Sequence, residues 1–319
     1  MINIVRNRYL YFLFSLLLIV PGMISLATFG LRTGIDFTGG ADWEFLFPEQ
    51  STPVEAETIR QAFAAGNFES AVSVRVSPPD ATNRVFINVR TPTVNEDGNT
   101  RDTVLNAVKA QYPKAVLNTL DSVGATVSTE SRNQAFVAVL AASVAILVYL
   151  TLAFRKAPHP IRFGVAAIIA MLHDVLVVVG LASILGQVIG LEVDALFLTA
   201  LLTVISFSVH DTIVVFDRVR ENLQHRRSSQ PFEEVVNVSI VQTLARSINT
   251  QLTALLTLLA LLLFGGATIR DFVLVLMLGL VSGTYSSLFN AAQLLVVWEN
   301  GWGRDFRKVF RRDPAAATI

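Results

Sequence analysis

The sequence predicts an α-helical polytopic membrane protein with six transmembrane helices and one α+β domain inserted between the first and the second. Three observations predict it. Of 319 residues, 52% are hydrophobic and only 16% are charged, with a mean hydropathy of +0.54; an ordinary soluble domain carries about 25% charge. Six segments, roughly 9–29, 134–154, 161–182, 195–216, 244–265 and 271–297, hold the run of about 20 predominantly apolar residues that a span needs. Between the first two lies a stretch of about 100 residues in which short strand and helix patterns alternate.

The chain divides into a first part at 1–29, an inserted domain at 30–133, five spans with short loops at 134–297 and a basic tail at 298–319. Segment 9–29 follows Arg6 and Arg8, and Ser25-Leu26-Ala27 loosely resembles a signal cleavage site. Its apolar stretch exceeds the 7–15 residues of a signal peptide, so it reads as a retained span. Fourteen Lys and Arg fall at the N-terminus, in loops 155–162 and 217–243 and in the tail, all on one side of a six-span protein. The opposite short loops hold only Arg270. Both termini are therefore expected in the cytoplasm and residues 30–133 outside it.

The inserted domain reads as β-α-β-β-α-β, the ferredoxin-like order. Asp42–Phe47 is a strand rich in aromatics. Pro53–Ala65 is a helix with Thr52 as its cap and Val54, Ile59, Ala62 and Phe63 on one face. Ala71–Val76 and Arg84–Val89 alternate, with Pro78-Pro79-Asp80 and Asn83 turning the chain between them. Thr100–Lys109 is a second helix, with Val104, Leu105 and Val108 facing inward. Ala115–Val127 holds the last strand. Nothing in the domain has a catalytic pattern, and it reads as a docking module.

Composition also excludes functions. The 25 basic and 25 acidic residues balance, against a nucleic-acid binder. The absence of cysteine removes disulfides, thiolate chemistry and Cys-ligated metal. The four histidines share no metal-ligand spacing, so no metal and no cofactor is expected. No nucleophile–base constellation or phosphate loop is present, so the chain is not expected to be an enzyme.

Ionisable residues at membrane depth are costly and mark candidate function. The third span carries His173 and Asp174, the fourth His210 and Asp211, the fifth Arg246. At 1.5 Å per residue, Asp211 lies about 24 Å from the outer surface and Arg246 about 27–28 Å from it, so the two could pair. Asp174, about 20 Å from the inner end of its span, is too far for direct contact with Asp211. In the fifth span Ser239, Gln242, Thr243, Arg246, Asn249, Thr250, Thr253 and Thr257 recur at spacings of three and four and read as one polar stripe. The sixth carries Ser282, Ser286, Asn290 and Gln293, beside a Gly279-x-x-x-Gly283 that allows close helix approach. Ser208 shares a face with Asp211. A carboxylate isolated at this depth would stay neutral, and beside Arg246 it would ionise. Opening and closing the pair would then take up and release a proton. A static ion pair that only fixes packing is the competing reading, and Asp217, near Arg218 and Arg220, reads as a solvated or capping residue.

Four motifs carry a resemblance. Val209-His210-Asp211-Thr212-Ile213-Val214-Val215-Phe216-Asp217-Arg218-Val219-Arg220-Glu221-Asn222 and Gln242-Thr243-Leu244-Ala245-Arg246-Ser247-Ile248-Asn249-Thr250 are two of them. Leu261-Leu262-Leu263-Phe264-Gly265-Gly266 and Gly34-Ile35-Asp36-Phe37-Thr38-Gly39-Gly40 are the others. Together they closely resemble the SecD/SecF family of bacterial protein-export membrane proteins, over the whole chain. SecD-type members have a much larger outer region, so this length fits the shorter branch. The resemblance implies half of an RND-type membrane bundle in the inner membrane, completed by SecD. It implies a proton-driven accessory to the SecYEG channel and SecA, associated with YajC and YidC, that acts on the emerging preprotein. It places the family's buried Asp on Asp211 and its Arg on Arg246. The family usually has Asn where this chain has His210, and often Gly-Tyr where it has Ser206-Phe207. Glycines 34, 39 and 40 would then supply a hinge between first span and domain. Two other readings stay open: an RND-type exporter of small molecules, against which the single small outer domain speaks, and a membrane scaffold.

Overall fold

A computed structural model describes residues 2–48, 54–64, 66, 68, 73–76, 84–94, 99–155, 159–301 and 303–306. Thr52, the turn at 78–83, and most of the basic tail lie outside the described residues. The chain separates into two compact units. One comprises Met1–Leu31, Ala138–Leu191 and Leu196–Ile319, the other Arg32–Val137 with Glu192–Ala195.

Six helical stretches in the described chain are long and apolar enough to cross a membrane. They are α1 (Arg8–Phe29, after a 3-10 turn at Val5–Asn7), α5 (Ala125–Ala153), α6 (Pro160–Val188), α7 (Ala195–Gln224), α8 (Phe232–Phe264) and a composite sixth. The sixth runs as α9 (Ala267–Ser286), a π turn at Ser287–Ala291, and α10 (Ala292–Asn300). About half of α6, α7 and the sixth stretch is buried, whereas α1, α5 and α8 expose most of their surface.

Small residues set the closest contacts. A Cβ on Gly180 would sit 2.8 Å from the Gly22 Cα, so α1 and α6 touch backbone to backbone. That approach brings Ser25 Oγ within 2.9 Å of Ser183 Oγ. Gly180→Val is expected to push α1 away and to lower the melting temperature of the purified protein in detergent, at a cost of about 1–3 kcal/mol. At the other end of α1, Arg8 is buried and fastens distant pieces of chain. Its Nε donates to Asp305 Oδ2 at 2.8 Å, and its Nη2 reaches Asp305 Oδ1 as well. Tyr9 and Asn300 donate to the same carboxylate. Burial alone would raise the Asp305 carboxyl, but the bonds from Arg8, Asn300 and Tyr9 hold it below its ordinary value. Positive-inside counting treats Arg8 as a solvated charge; the fork geometry of its guanidinium makes it a clamp instead.

The sheet unit contains a short α2 (Ile35–Thr38), β1 (Gly40–Phe47), α3 (Ala56–Ala64), β2 (Ser73–Val76), β3 (Val85–Thr91), α4 (Asn99–Gln111) and β4 (Val116–Val123). The strands pair antiparallel in the order β2-β3-β1-β4, which is the ferredoxin-like arrangement. Alternation along β1 sends Ala41, Trp43, Phe45 and Phe47 into a core with Ile59, Phe63, Ile87, Val89, Val104 and Val108. Trp43 satisfies its indole N–H on Thr91 Oγ1 at 3.0 Å. The last strand, Val116–Val123, falls inside the expected stretch 115–127, and α5 begins at Ala125, nine residues before the expected span. Its polar first turns merge a domain helix with an apolar one, and hydropathy alone cannot mark that junction.

The opposite face of β1 carries Asp42. Cross-strand register sets it beside Arg90 and Asp121. Burial pushes its carboxyl up to about 6, the nearby Glu192 adds to this, and Arg90 opposes it. The folded chain thus holds this proton more tightly than the unfolded one, whose ordinary value is 3.8. The contribution is present below that value and is lost as pH rises through about 6, at most roughly 3 kcal/mol. Asp42→Asn is therefore expected to slow amide exchange of β1 and β3 at pH 8 and to flatten its pH dependence between 4 and 7.

Candidate functional site

The most polar place in the membrane unit surrounds Asp174 on α6. The side chain is fully buried. Ser208 Oγ on α7 donates to Oδ2 at 2.5 Å and Ser286 Oγ on α9 to the same oxygen at 2.6 Å. Ser282 Oγ donates to Oδ1 at 2.7 Å, and His173 Nδ1 lies 3.0 Å from that oxygen. Three serine hydroxyls therefore donate to the two oxygens of this carboxyl group, and a ring nitrogen of His173 lies beside them. His173 Nε2 is buried with no hydrogen-bond partner among the described residues.

The sequence explains the convergence. Gly279, Ser282, Gly283 and Ser286 fall at i, i+3, i+4 and i+7 on one face of α9. A Cβ on Gly279 would lie 2.1 Å from Val204 Cγ2, and one on Gly283 would lie 3.2 Å from Ser208 Cβ. The glycines thus admit α7, and the serines beside them reach the carboxylate. Further along the seam Thr212 Oγ1 and Ser287 Oγ are 2.9 Å apart, and Ser287 Oγ donates to the Ser208 carbonyl at 3.0 Å. Ser287 opens the π turn, a bulge often found at functional positions.

Asp211 lies one turn beyond Ser208 and is 4% exposed. It does not pair with Arg246, contrary to the expectation from depth. Gln251 Nε2 donates to Asp211 Oδ2 at 2.5 Å, and Arg246 lies on the exposed face of α8. Depth fixes only the position along the helix axis; the rotation of α8 decides which residue meets Asp211. The expected single stripe is in fact two. Ser239, Thr243, Ser247 and Gln251, each four apart, are buried. Gln242, Arg246, Asn249, Thr250, Thr253 and Thr257 are exposed. Gln251 escaped the sequence reading although the exact four-residue series from Ser239 leads to it. His210 is exposed and faces away from the buried side of α7. Ser247 Oγ and Gln251 Oε1 are buried without a partner among the described residues. In the sixth stretch Ser282, Ser286, Asn290 and Gln293 are all buried, and Asn290 Nδ2 donates to Ser15 Oγ on α1 at 2.7 Å.

The three expected hinge glycines have local steric causes. A Cβ on Gly34 would lie 2.9 Å from Asp194 Cβ. Gly39 ends α2 at φ 74°. Gly40 has φ 116°, and a Cβ there would meet the Thr91 carbonyl oxygen at 2.7 Å. Each is packed into the sheet unit.

Known proteins resemble the whole of this arrangement. The family described as protein export membrane protein SecD/SecF, C-terminal, matches residues 103–301. The protein translocase subunit SecF of Thermobaculum terrenum is 50% identical over 99% of both chains. That of Anaerolinea thermophila is 46% identical over 99% of this chain and 100% of its own. The crystal structure of SecDF, a translocon-associated membrane protein from Thermus thermophilus, superposes with a TM-score of 0.79 at 35% identity. That match covers 94% of this chain, which spans 39% of the larger SecDF chain.

Proposed function

The chain belongs to the SecD/SecF family of protein-export membrane proteins, and from that premise we propose that it is the SecF-type subunit of a protein translocase, completed in the membrane by SecD. One observation carries the pairing. Arg246, Asn249, Thr250, Thr253 and Thr257 on α8, with Ser206 and His210 on α7, are exposed along spans. Polar and charged side chains at that depth are expensive against lipid and belong against protein or a wet cavity. A second bundle seated there would cover them and supply a partner for Arg246, which forms no ion pair among the described residues.

In this reading Asp211 takes up and releases the coupling proton, with Gln251 and the Ser208–Asp174 network on its buried side and Arg246 facing the joint with SecD. Protons are the coupling ion, and no metal or cofactor takes part. The sheet domain acts on the outer side of the bacterial inner membrane and both termini face the cytoplasm, as the Lys and Arg distribution supports. The SecYEG channel, SecA, YajC, YidC and the translocating preprotein are partners carried by the family resemblance. In this reading the chain carries no enzymatic step.

The native chain has no cysteine, so single cysteines report contacts cleanly. Thr250→Cys and Thr253→Cys are expected to cross-link to co-expressed SecD through a short bifunctional reagent. Co-purification of SecD without a cross-link at either position would place the joint elsewhere.

A further inference from the structure

A small cavity opens where the first turn of α6, the end of α7, the start of α8 and the end of α10 meet. All of its lining belongs to the membrane unit. Its volume is about 90 Å³, several times the roughly 10–15 Å³ that one water needs. Phe163, Phe232 and Leu295 contribute an apolar wall. Phe163 is held by the rings of Phe154 and Phe216, at 5.4 and 5.3 Å between centres, so that wall is rigid. The charged and polar lining is Arg162, Arg226 and His159 against the single acid Glu299. Each arginine is oriented by one bond. Arg162 Nη1 donates to Glu299 Oε2 at 2.5 Å, and Arg226 Nε donates to the Gln230 carbonyl at 2.7 Å. Among the described residues the other N–H donors of both guanidiniums are unengaged. His159 precedes α6 with φ 56°, the one non-glycine in left-handed backbone among the described residues, and makes no side-chain cap bond. No acidic residue lies in the first turn of α6, so nothing in that turn offsets the positive end of the helix dipole.

We propose that this cavity binds a phosphate group, supplied by the headgroup of an anionic phospholipid in the cytoplasmic leaflet. A pair of phosphate oxygens matches the fork of a guanidinium. Two forks already oriented by single bonds lose less side-chain freedom on binding than free ones. The place of the cavity favours lipid over a free ion. Arg162 is the third residue of α6, at the end of a span, and the adjacent Ile161 is 67% exposed. Apolar and cationic surface thus follow one another there in the order of a lipid's acyl chain and phosphate. Basic pockets between spans on the cytoplasmic side recur as headgroup sites. Glu299 has two effects: it orients Arg162 and it competes with the phosphate for it. The choice of leaflet rests on the orientation in which loops 155–162 and 217–243 face the cytoplasm. The cavity does not.

The test is binding of phosphatidylglycerol to the purified full chain in a neutral detergent, counted by native mass spectrometry. Phosphatidylcholine of the same chain length is the neutral comparison, and the melting temperature of each variant is verified. Phosphatidylglycerol is expected to bind about fivefold tighter or more. Arg162→Gln and Arg226→Gln should each weaken it about fivefold, the effect of one basic side chain on an anionic lipid. Glu299→Gln should tighten it about two- to threefold, because it releases Arg162 from a half-exposed pair. An Arg162–Glu299 pair with a merely structural role would leave Glu299→Gln neutral or weaker. Arg227→Gln, in the same loop but outside the cavity, should change nothing. Equal binding of the two lipids, unchanged affinity in both arginine variants, or an equal loss in Arg227→Gln would each overturn the site. Displacement of the lipid by millimolar inorganic phosphate, or capture of a glutamate-rich peptide in preference to it, would overturn the lipid as ligand. In detergent the assay reads the cavity whatever the orientation of the chain. Gln230→Cys in this otherwise cysteine-free chain checks the leaflet separately. It should resist a membrane-impermeant thiol reagent in intact spheroplasts, and labelling there would overturn the cytoplasmic assignment.

Discussion

Asp174→Ala is expected to prevent accumulation of the folded chain, and the reason is the number of groups that lose their partner at once. Three serine hydroxyls, from α7 and α9, and the His173 imidazole converge on this carboxylate. Alanine leaves them facing a cavity in a fully buried place, where each unsatisfied polar group costs about 1–3 kcal/mol. Several such losses together come to a few kcal/mol or more, a large share of a typical folding free energy of about 5–15 kcal/mol. Asp174→Asn keeps one acceptor oxygen and the shape, and hydroxyls can turn to accept as well as donate. It should accumulate, with a melting temperature between those of wild type and Asp174→Ala. Immunoblots of membranes and thermal unfolding in detergent read both. Normal levels of Asp174→Ala would show that the three serines satisfy one another and that α6, α7 and α9 do not depend on the carboxylate.

What the sequence could and could not reveal divides along a physical line. Span existence depends on a summed apolar content, which survives any helix rotation, so the six stretches and the split β-α-β order of the inserted domain were legible from residues alone. The inward series Val104–Val108 and Ile59–Phe63 appear in the core where periodicity set them. Pairing across helices depends on rotation, and here the reading failed. Arg246 and Gln251 are five residues apart, about 140° around the helix, and only the neighbours of α8 decide which one meets Asp211. The mixed spacing of polar residues on α8 concealed two faces, one buried and one exposed. A neutral Gln also gives no alarm of the kind that a charged Arg gives at membrane depth. The Arg8–Asp305 clamp joins residues almost 300 positions apart, and the Glu192–Arg90 ion pair joins residues 102 positions apart. No local pattern encodes either. Asp174 was visible as a buried charge, but its weight became apparent only with the three serines that surround it.

Asp211→Asn is expected to leave assembly intact and to slow export, because the substitution separates two things the aspartate does. As a hydrogen-bond acceptor it receives Gln251 Nε2, and an asparagine oxygen in the same place accepts that bond equally well. As an ionisable group it can carry a proton, and asparagine cannot. SecD co-purification should therefore match wild type while the driven phase of export is lost. A proton crossing 100 mV supplies about 2.3 kcal/mol, so the proton-assisted step slows by at most roughly fiftyfold at 1.36 kcal/mol per tenfold. Pulse-chase labelling of a secreted protein measures the loss. A protonophore supplies the second readout: it should slow wild-type export further towards the level of the variant and leave the variant nearly unchanged, since one cannot uncouple what is already uncoupled. Unchanged export by Asp211→Asn, with the protonophore still effective, would make Asp211 a packing residue held by Gln251. The proton would then have to be carried by another group of the complex, and within this chain His173, with its buried and unpartnered Nε2, would be the next residue to replace.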